Sequence, residues 1–253
     1  MRKIISAILF VALSGAAGAA SAQDNWTGWY VGGHLGHANA DASTSATLGG
    51  AWSSESSALR GEVVAGLSHD LSPSGAAYGL HGGYNHQFAN GFVLGVELGY
   101  SELNADEATS TGLQPTTAFP SLQYDYLHAI ELNNQTTLRT RLGYASDRHL
   151  FYVSGGWTQV DVDASTGMLS NGGYKKLGAA SKRASGTQWG VGYEYDFGNR
   201  WSLRGEYLRT NTGSVRYDTD YLPGSTFTSP AYSESIKQEL DFDTFQLGVS
   251  YRF

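Results

Sequence analysis

The sequence predicts an all-β fold, eight antiparallel strands wound up and down into a transmembrane barrel with four long extracellular loops and three short periplasmic turns. Three observations predict it. Eight segments alternate apolar with small or polar residues, the spacing at which successive side chains leave a strand on opposite faces. The connections between them alternate short and long along the chain, as in outer-membrane barrels. Charges within the segments keep to the small-residue face, and a Lys or Arg facing lipid at mid-depth costs about 2–4 kcal/mol.

The chain opens with Met1-Arg2-Lys3, an apolar run from Ile4 to Leu13 and small residues ending at Ala20-Ser21-Ala22. That is the layout of a secretory signal peptide, so residues 1–22 are expected to be cleaved and 23–253 to form one barrel domain. The run is shorter than the roughly 20 residues a membrane helix requires, and no later stretch approaches that length. Strands are expected at 28–40, 77–88, 92–103, 134–145, 150–161, 185–196, 201–212 and 241–253. A tilted crossing takes about 9–11 residues, which each supplies. Short turns at 89–91, 146–150 and 197–200 separate long loops at 41–76, 104–133, 162–184 and 213–240. Both chain ends then fall on the periplasmic side.

The last strand sorts completely, with Phe245, Leu247, Val249, Tyr251 and Phe253 on one face and Thr244, Gln246, Gly248, Ser250 and Arg252 on the other. In the third, Phe92, Leu94, Val96, Leu98 and Tyr100 oppose Glu97; in the fourth, Leu138, Leu142 and Tyr144 oppose Arg139 and Arg141. In the sixth, Trp189, Val191, Tyr193 and Tyr195 oppose Glu194 and Asp196; in the seventh, Trp201, Leu203 and Tyr207 oppose Arg204 and Glu206. The fifth is apolar in both registers, and Phe151, Val153 and Trp157 are read as outward. Trp26, Trp29, Tyr30, Phe88, Phe92, Tyr144, Tyr195, Trp201, Tyr251 and Phe253 cluster at one rim, where an interfacial girdle of amphipathic rings belongs.

Composition agrees. The 33 glycines, 16 tyrosines and 6 tryptophans suit a β-rich barrel. The mean hydropathy is negative, since a barrel strand is apolar only at every second position. With no cysteine, neither disulfides nor thiolate metal sites contribute. Sixteen basic against 23 acidic side chains argue against a nucleic-acid partner, which requires a basic surface.

The inward charges are Glu97, Glu194, Asp196 and Glu206 against Arg139, Arg141, Arg204 and Arg252. A small barrel has room inside only for side chains, so matched charges there are expected to pair and fill the lumen. Glu194 and Glu206 could also be read as a general acid/base pair, but nearby arginines would keep both ionised and occupied. His34 and His81 share the inward face without a third ligand in their layer, so hydrogen-bonded interior imidazoles outweigh a metal site. Haem ligation by His69 and His128 is set aside on the same balance. His37, the one outward histidine near the distal rim, has no serine or carboxylate placed to form a triad. No enzyme and no cofactor are expected. The third loop is the basic exception among acidic loops, and its Lys175, Lys176, Lys182 and Arg183 are candidate contacts for lipopolysaccharide anions.

Asn25-Trp26-Thr27-Gly28-Trp29-Tyr30-Val31-Gly32-Gly33 resembles the opening strand of the small alphaproteobacterial outer-membrane immunogenic, or opacity-like, porin-family barrels. Leu138 to Tyr144 resembles that family's fourth strand and Gly205 to Leu208 its seventh. The final run, with Gln246, Gly248, Tyr251 and Phe253, looks like a barrel-assembly signal and by that resemblance implies recognition by the assembly machinery. The expected role is a structural, surface-exposed protein of a Gram-negative outer membrane. A narrow low-conductance porin is the alternative and a lipid-modifying barrel enzyme a distant third. The sequence leaves the oligomeric state open.

Overall fold

The computed structural model describes residues 25–253; the expected signal peptide lies outside them. In chain order the elements are β1 (Gly28–Gly50), a 3-10 turn at Ala51–Ser54, α1 (Ser57–Leu67), β2 (Asp70–Leu71), β3 (Ser74–Gln87) and β4 (Phe92–Ser110). There follow β5 (Gln114–Pro115), β6 (Gln123–Ser146), β7 (His149–Ser170), β8 (Lys175–Gly198), β9 (Trp201–Thr212), β10 (Val215–Asp218), β11 (Asp220–Tyr221) and β12 (Tyr232–Arg252).

The expected count of eight strands is thereby corrected: among the described residues the sheet has twelve. The additional β2, β5, β10 and β11 arise inside segments expected as loops, where their backbone groups pair with the distal reaches of β1, β6, β12 and β8. Each long strand pairs antiparallel with the next long one, and β1 pairs with β12 from Tyr30↔Arg252 to Gly50↔Tyr232. The four expected long loops are corrected with the count. The segment 162–184 is almost wholly β7 and β8, joined by a tight turn at 171–174.

The strands outrun their expected distal ends because their amphipathic pattern inverts along their length. Proximally, towards the chain ends, the outward face is Trp29, Val31 and Leu35 of β1 and Val249, Leu247 and Phe245 of β12, all exposed. Distally, Asp41, Ser43 and Glu239 are exposed, while Ala38, Ala40, Ala42, Leu240 and Phe242 are buried on the inner face. A strand inside lipid must be greasy outside, whereas a strand in water must be greasy inside. Expectations tuned to the first rule end where the second takes over. In β6 the inversion coincides with a bulge between Leu132 and Gln135. Arg141, Arg139, Thr137 and Gln135 point inward proximal to it, and Leu132, Ile130, His128 and Tyr126 distal to it. An extra residue in one strand moves every later side chain to the other face.

The inner face is stratified. Nearest the chain ends lie Trp26, Val93, Ala145, Leu150 and Tyr152. Above the ionic layer described below comes an apolar layer that includes Leu71, Leu103, Leu132, Val160, Val162, Leu240 and Phe242. At the distal end Trp52 and α1 pack on Tyr124, Tyr126, Met168, Tyr174 and Ile236. α1 begins where the Ser56 side chain accepts a hydrogen bond from the Leu59 amide (3.2 Å), an N-cap arrangement. It buries Leu59, Val63 and Leu67, four residues apart on one helical face.

The girdle expectation needs two corrections. Trp26 and Tyr30 are buried at 1% and 5% exposure, so neither meets lipid. Tyr30 shares the parity of His34, and that parity points it inward. Trp29, Phe88, Phe92, Tyr144, Trp201 and Phe253 are exposed. So are Phe151, Val153 and Trp157, which fixes the register of β7.

Candidate functional site: the ionic layer of the lumen

Glu97 of β4 is the centre of the layer, fully buried, with three guanidinium groups around it. Arg204 of β9 reaches Glu97 at 2.6 Å with one terminal nitrogen and Glu206 at 2.8 Å with the other. Arg139 of β6 bridges the same two carboxylates, contacting Glu97 directly and Glu206 at 3.5 Å. Arg141 pairs with Glu194 of β8 at 2.7 Å and lies 3.5 Å from Glu97. Neutral donors add to the shells: Tyr30 Oη to Glu97 (2.9 Å), Ser202 Oγ to Glu194 (2.5 Å) and Gln246 Nε2 to Glu206 (2.6 Å). An isolated charge here would be very costly, and charges matched in number with added hydrogen bonds are how burial is tolerated.

Sequence parity places all eight expected charges inward, but not in one network. Glu97, Glu194, Glu206, Arg139, Arg141 and Arg204 join, whereas Asp196 and Arg252 form a separate pair near the chain ends. Period-two reading missed the aromatic members. The Arg141 guanidinium stacks on the Tyr152 ring (3.8 Å) and donates to Tyr30 Oη (2.9 Å), and Arg252 lies over Trp26 at 4.9 Å. Glycine makes room for this packing. A Cβ on Gly192 would fall 2.2 Å from the Tyr152 ring, and one on Gly248 would fall 3.2 Å from Arg204 Cγ.

Above the ionic layer His34 and His81 meet Nδ1 to Nδ1 at 3.3 Å, and their Nε2 atoms pair with Ser101 and Ser250, each at 2.9 Å. These bonds occupy every ring nitrogen. Among the described residues no group of three or more His, Cys, Asp or Glu is placed to hold a metal ion. His69 and His128 lie with ring centroids 5.2 Å apart, and His128 Nε2 is engaged with the Gly66 carbonyl at 3.0 Å. His37 is exposed and makes no side-chain hydrogen bond among the described residues.

The basic cluster expected in the third loop is dispersed. Lys176 is buried and paired with Glu234 at 2.7 Å, so it cannot meet a headgroup. A strand turns alternate residues inward, and position 176 is an inward one. Lys175 and Lys182 are exposed, Lys182 donating to the Arg216 carbonyl at 2.7 Å, and Arg183 pairs with Asp161 at 2.7 Å. Gln246, Gly248, Tyr251 and Phe253 all belong to the last strand or its end: the first two pack inward around Arg204 and Glu206, and Tyr251 meets the rings of Trp201 and Phe253 at 5.1 and 5.4 Å.

Residues 8–253 match the family described as the outer membrane protein beta-barrel domain. The chain belongs to this family. It is a surface-exposed, structural outer-membrane β-barrel protein. The barrel is 27% identical over 236 residues to the 31 kDa outer-membrane immunogenic protein of Brucella melitensis biotype 1, covering 90% of this chain and 84% of the relative. The protein of that description from Brucella suis biovar 1 matches to the same extent. Among solved structures, OprG from Pseudomonas aeruginosa aligns with a TM-score of 0.47 and 11% identity, over 91% of this chain and 98% of the other. Neisserial surface protein A aligns at 0.41 and 13%, over 90% and 98%.

Proposed function

We propose that this barrel is a filled, non-conducting and non-enzymatic element of the outer membrane, with its chain ends in the periplasm and its distal end serving outside the cell as an antigenic or adhesive surface. The observation that supports this reading is the unbroken stratification of the lumen, from Trp26 through the ionic and apolar layers to Trp52 and α1. Each layer alone would obstruct a solute. The immunogenic description of the Brucella relatives supports the antigenic part. Lys175, Lys182 and Arg183 are the remaining candidates for contact with lipopolysaccharide anions, and β12 with Gln246, Gly248, Tyr251 and Phe253 is the segment that the assembly machinery would read. An edge strand with unpaired backbone groups is what such a partner can extend.

Planar-bilayer recording on refolded protein tests the reading. The wild type should give no steady conductance, and the double variant Arg139→Ala, Arg141→Ala should raise conductance or lower the melting temperature. Steady wild-type conductance would transfer the protein to the narrow-channel class.

A further inference from the structure

The last turn of α1 lies against the inner face of β6. Gly66 allows the approach, since a Cβ there would fall 2.2 Å from the Tyr126 ring, and its carbonyl accepts a hydrogen bond from His128 Nε2 at 3.0 Å. That bond fixes the tautomer: the proton sits on Nε2, and the Nδ1 lone pair is left free. His128 is 4% exposed, and its Nδ1 is buried with no hydrogen-bond partner among the described residues. A buried polar atom with nothing to bond is uncommon and calls for a cause. The ring of His69, just past the end of α1, lies beside it, with centroids 5.2 Å apart and planes at 32°. His69 is exposed and makes no side-chain hydrogen bond among the described residues.

From this geometry we propose that His69 and His128 form a two-histidine site for a divalent transition cation of the zinc, nickel and copper class, with water in the remaining coordination positions. Neutral imidazole nitrogen suits these ions, whereas calcium and magnesium take oxygen ligands. Two imidazoles on one tetrahedral ion, each nitrogen about 2.0–2.1 Å from it, hold their ring centroids roughly 5 Å apart. The two rings already stand at that separation. Ligating histidines are usually oriented by donation from the other ring nitrogen to a carbonyl or carboxylate, and Gly66 supplies the carbonyl. Burial pushes the His128 imidazole below its ordinary pKa, so its lone pair is available at neutral pH.

Two sources of negative potential favour a cation. The C-terminal end of an α-helix carries the equivalent of roughly half a negative charge, and α1 ends at Leu67 with Ser68 as its cap. Glu107 stands two residues along β4 from Thr109, the strand partner of His128, and accepts the Ser72 amide at 2.5 Å. It makes no ion pair among the described residues. No third His, Cys, Asp or Glu among the described residues completes the set, so water fills the shell and the ion exchanges with solvent. While bound, it ties the segment behind α1 to the wall of β6 and holds the helix in the distal opening, because a ligand that binds only the folded arrangement stabilises it.

The test titrates tag-free refolded barrel with Zn²⁺ by calorimetry. One ion should bind per chain. His69→Ala should weaken it at least tenfold, and His37→Ala, which removes an exposed histidine elsewhere, should leave it unaltered. His128→Gln, which keeps a donor for the Gly66 carbonyl, should weaken it as much as His69→Ala. Cu²⁺ in place of Zn²⁺ should show two coupled nitrogens by electron paramagnetic resonance in the wild type and one in His69→Ala. Zn²⁺ should also slow protease cleavage within 51–73 at least threefold in the wild type and leave it unaltered in His69→Ala, whose replaced side chain is exposed and outside the packed core. Absence of binding, affinity unaltered by His69→Ala, or equal protection of both proteins overturns the site.

Discussion

Arg204 touches two carboxylates that are themselves fully buried, so its removal leaves anions with nowhere to solvate. Breaking one side of a buried pair costs about 3–5 kcal/mol. Arg204→Met should lower the unfolding free energy of the vesicle-refolded protein, read from urea titration, by that amount, and adding Glu206→Gln should recover part of the loss because the two changes share one contact. Glu234 is the counterpart outside the membrane. Burial alone would raise its pKa, but donors from Lys176, Thr219, Tyr174 and Trp52 outweigh burial and hold it below the ordinary carboxylate value. A depressed folded pKa gives stability that is present above the unfolded value, about 4.3, and lost as pH falls through the folded one. Protease resistance of the distal end should therefore hold from pH 7 down to about 5 and fall below about pH 4. Glu234→Gln should weaken it at neutral pH, by leaving Lys176 buried without its partner, and flatten the acid dependence.

At the scale of elements, α1 is fastened through one stripe, Leu59, Val63 and Leu67. Val63→Asp would bury a charge among Trp52, Met168 and Ile236, which costs several kcal/mol unless the helix leaves. The expected outcome is rapid proteolysis within 51–73 with the heat-dependent gel mobility of the barrel intact. Loss of that mobility would show that the helix is needed for the strands themselves. Legibility in the sequence divides along the same line. Where hydrocarbon lies outside, period two was enough to orient Glu97, Arg139, Arg204 and Glu206, but in the fifth expected strand, apolar in both registers, only the structure decides for Phe151 over Tyr152 as outward. Distally the same period persists in β1 and β12 with its sense reversed, and in β6 the bulge at 133–134 breaks its phase, so polar outward residues read as loops. Tyr174 and Lys176, two residues apart, lie far in sequence from Trp52 and Glu234 and meet them only where β8, β12 and the 3-10 turn come together, which no local pattern announces. Tyr30 was legible and misassigned: its parity pointed inward, but its aromatic ring suggested the girdle.

For the whole molecule the position of the belt is the quantity to measure. Leu247 is exposed at the middle of the outward face of β12, and Glu239 is exposed on the same face beyond the inversion. Leu247→Arg should destabilise refolded protein by about 2–4 kcal/mol, as an arginine in hydrocarbon does, falling to about 0–1 kcal/mol near the interface. Glu239→Arg should be near neutral. Equal penalties at both sites would place the membrane boundary elsewhere and undo the two-environment account of the strands.

The reversal of polarity also constrains how the molecule gets to its destination. Asp41, Glu102, Asp106, Asp241 and Asp243 lie on the outward face beyond the inversion, and in the proposed orientation they start from the periplasm. Sliding a finished cylinder through would drag every one of those carboxylates across acyl chains, against a toll that rises with each. A far half carried across unzipped, through a wet passage, and paired only after emerging would escape that toll. The near half can anneal last, in the lipid where it stays.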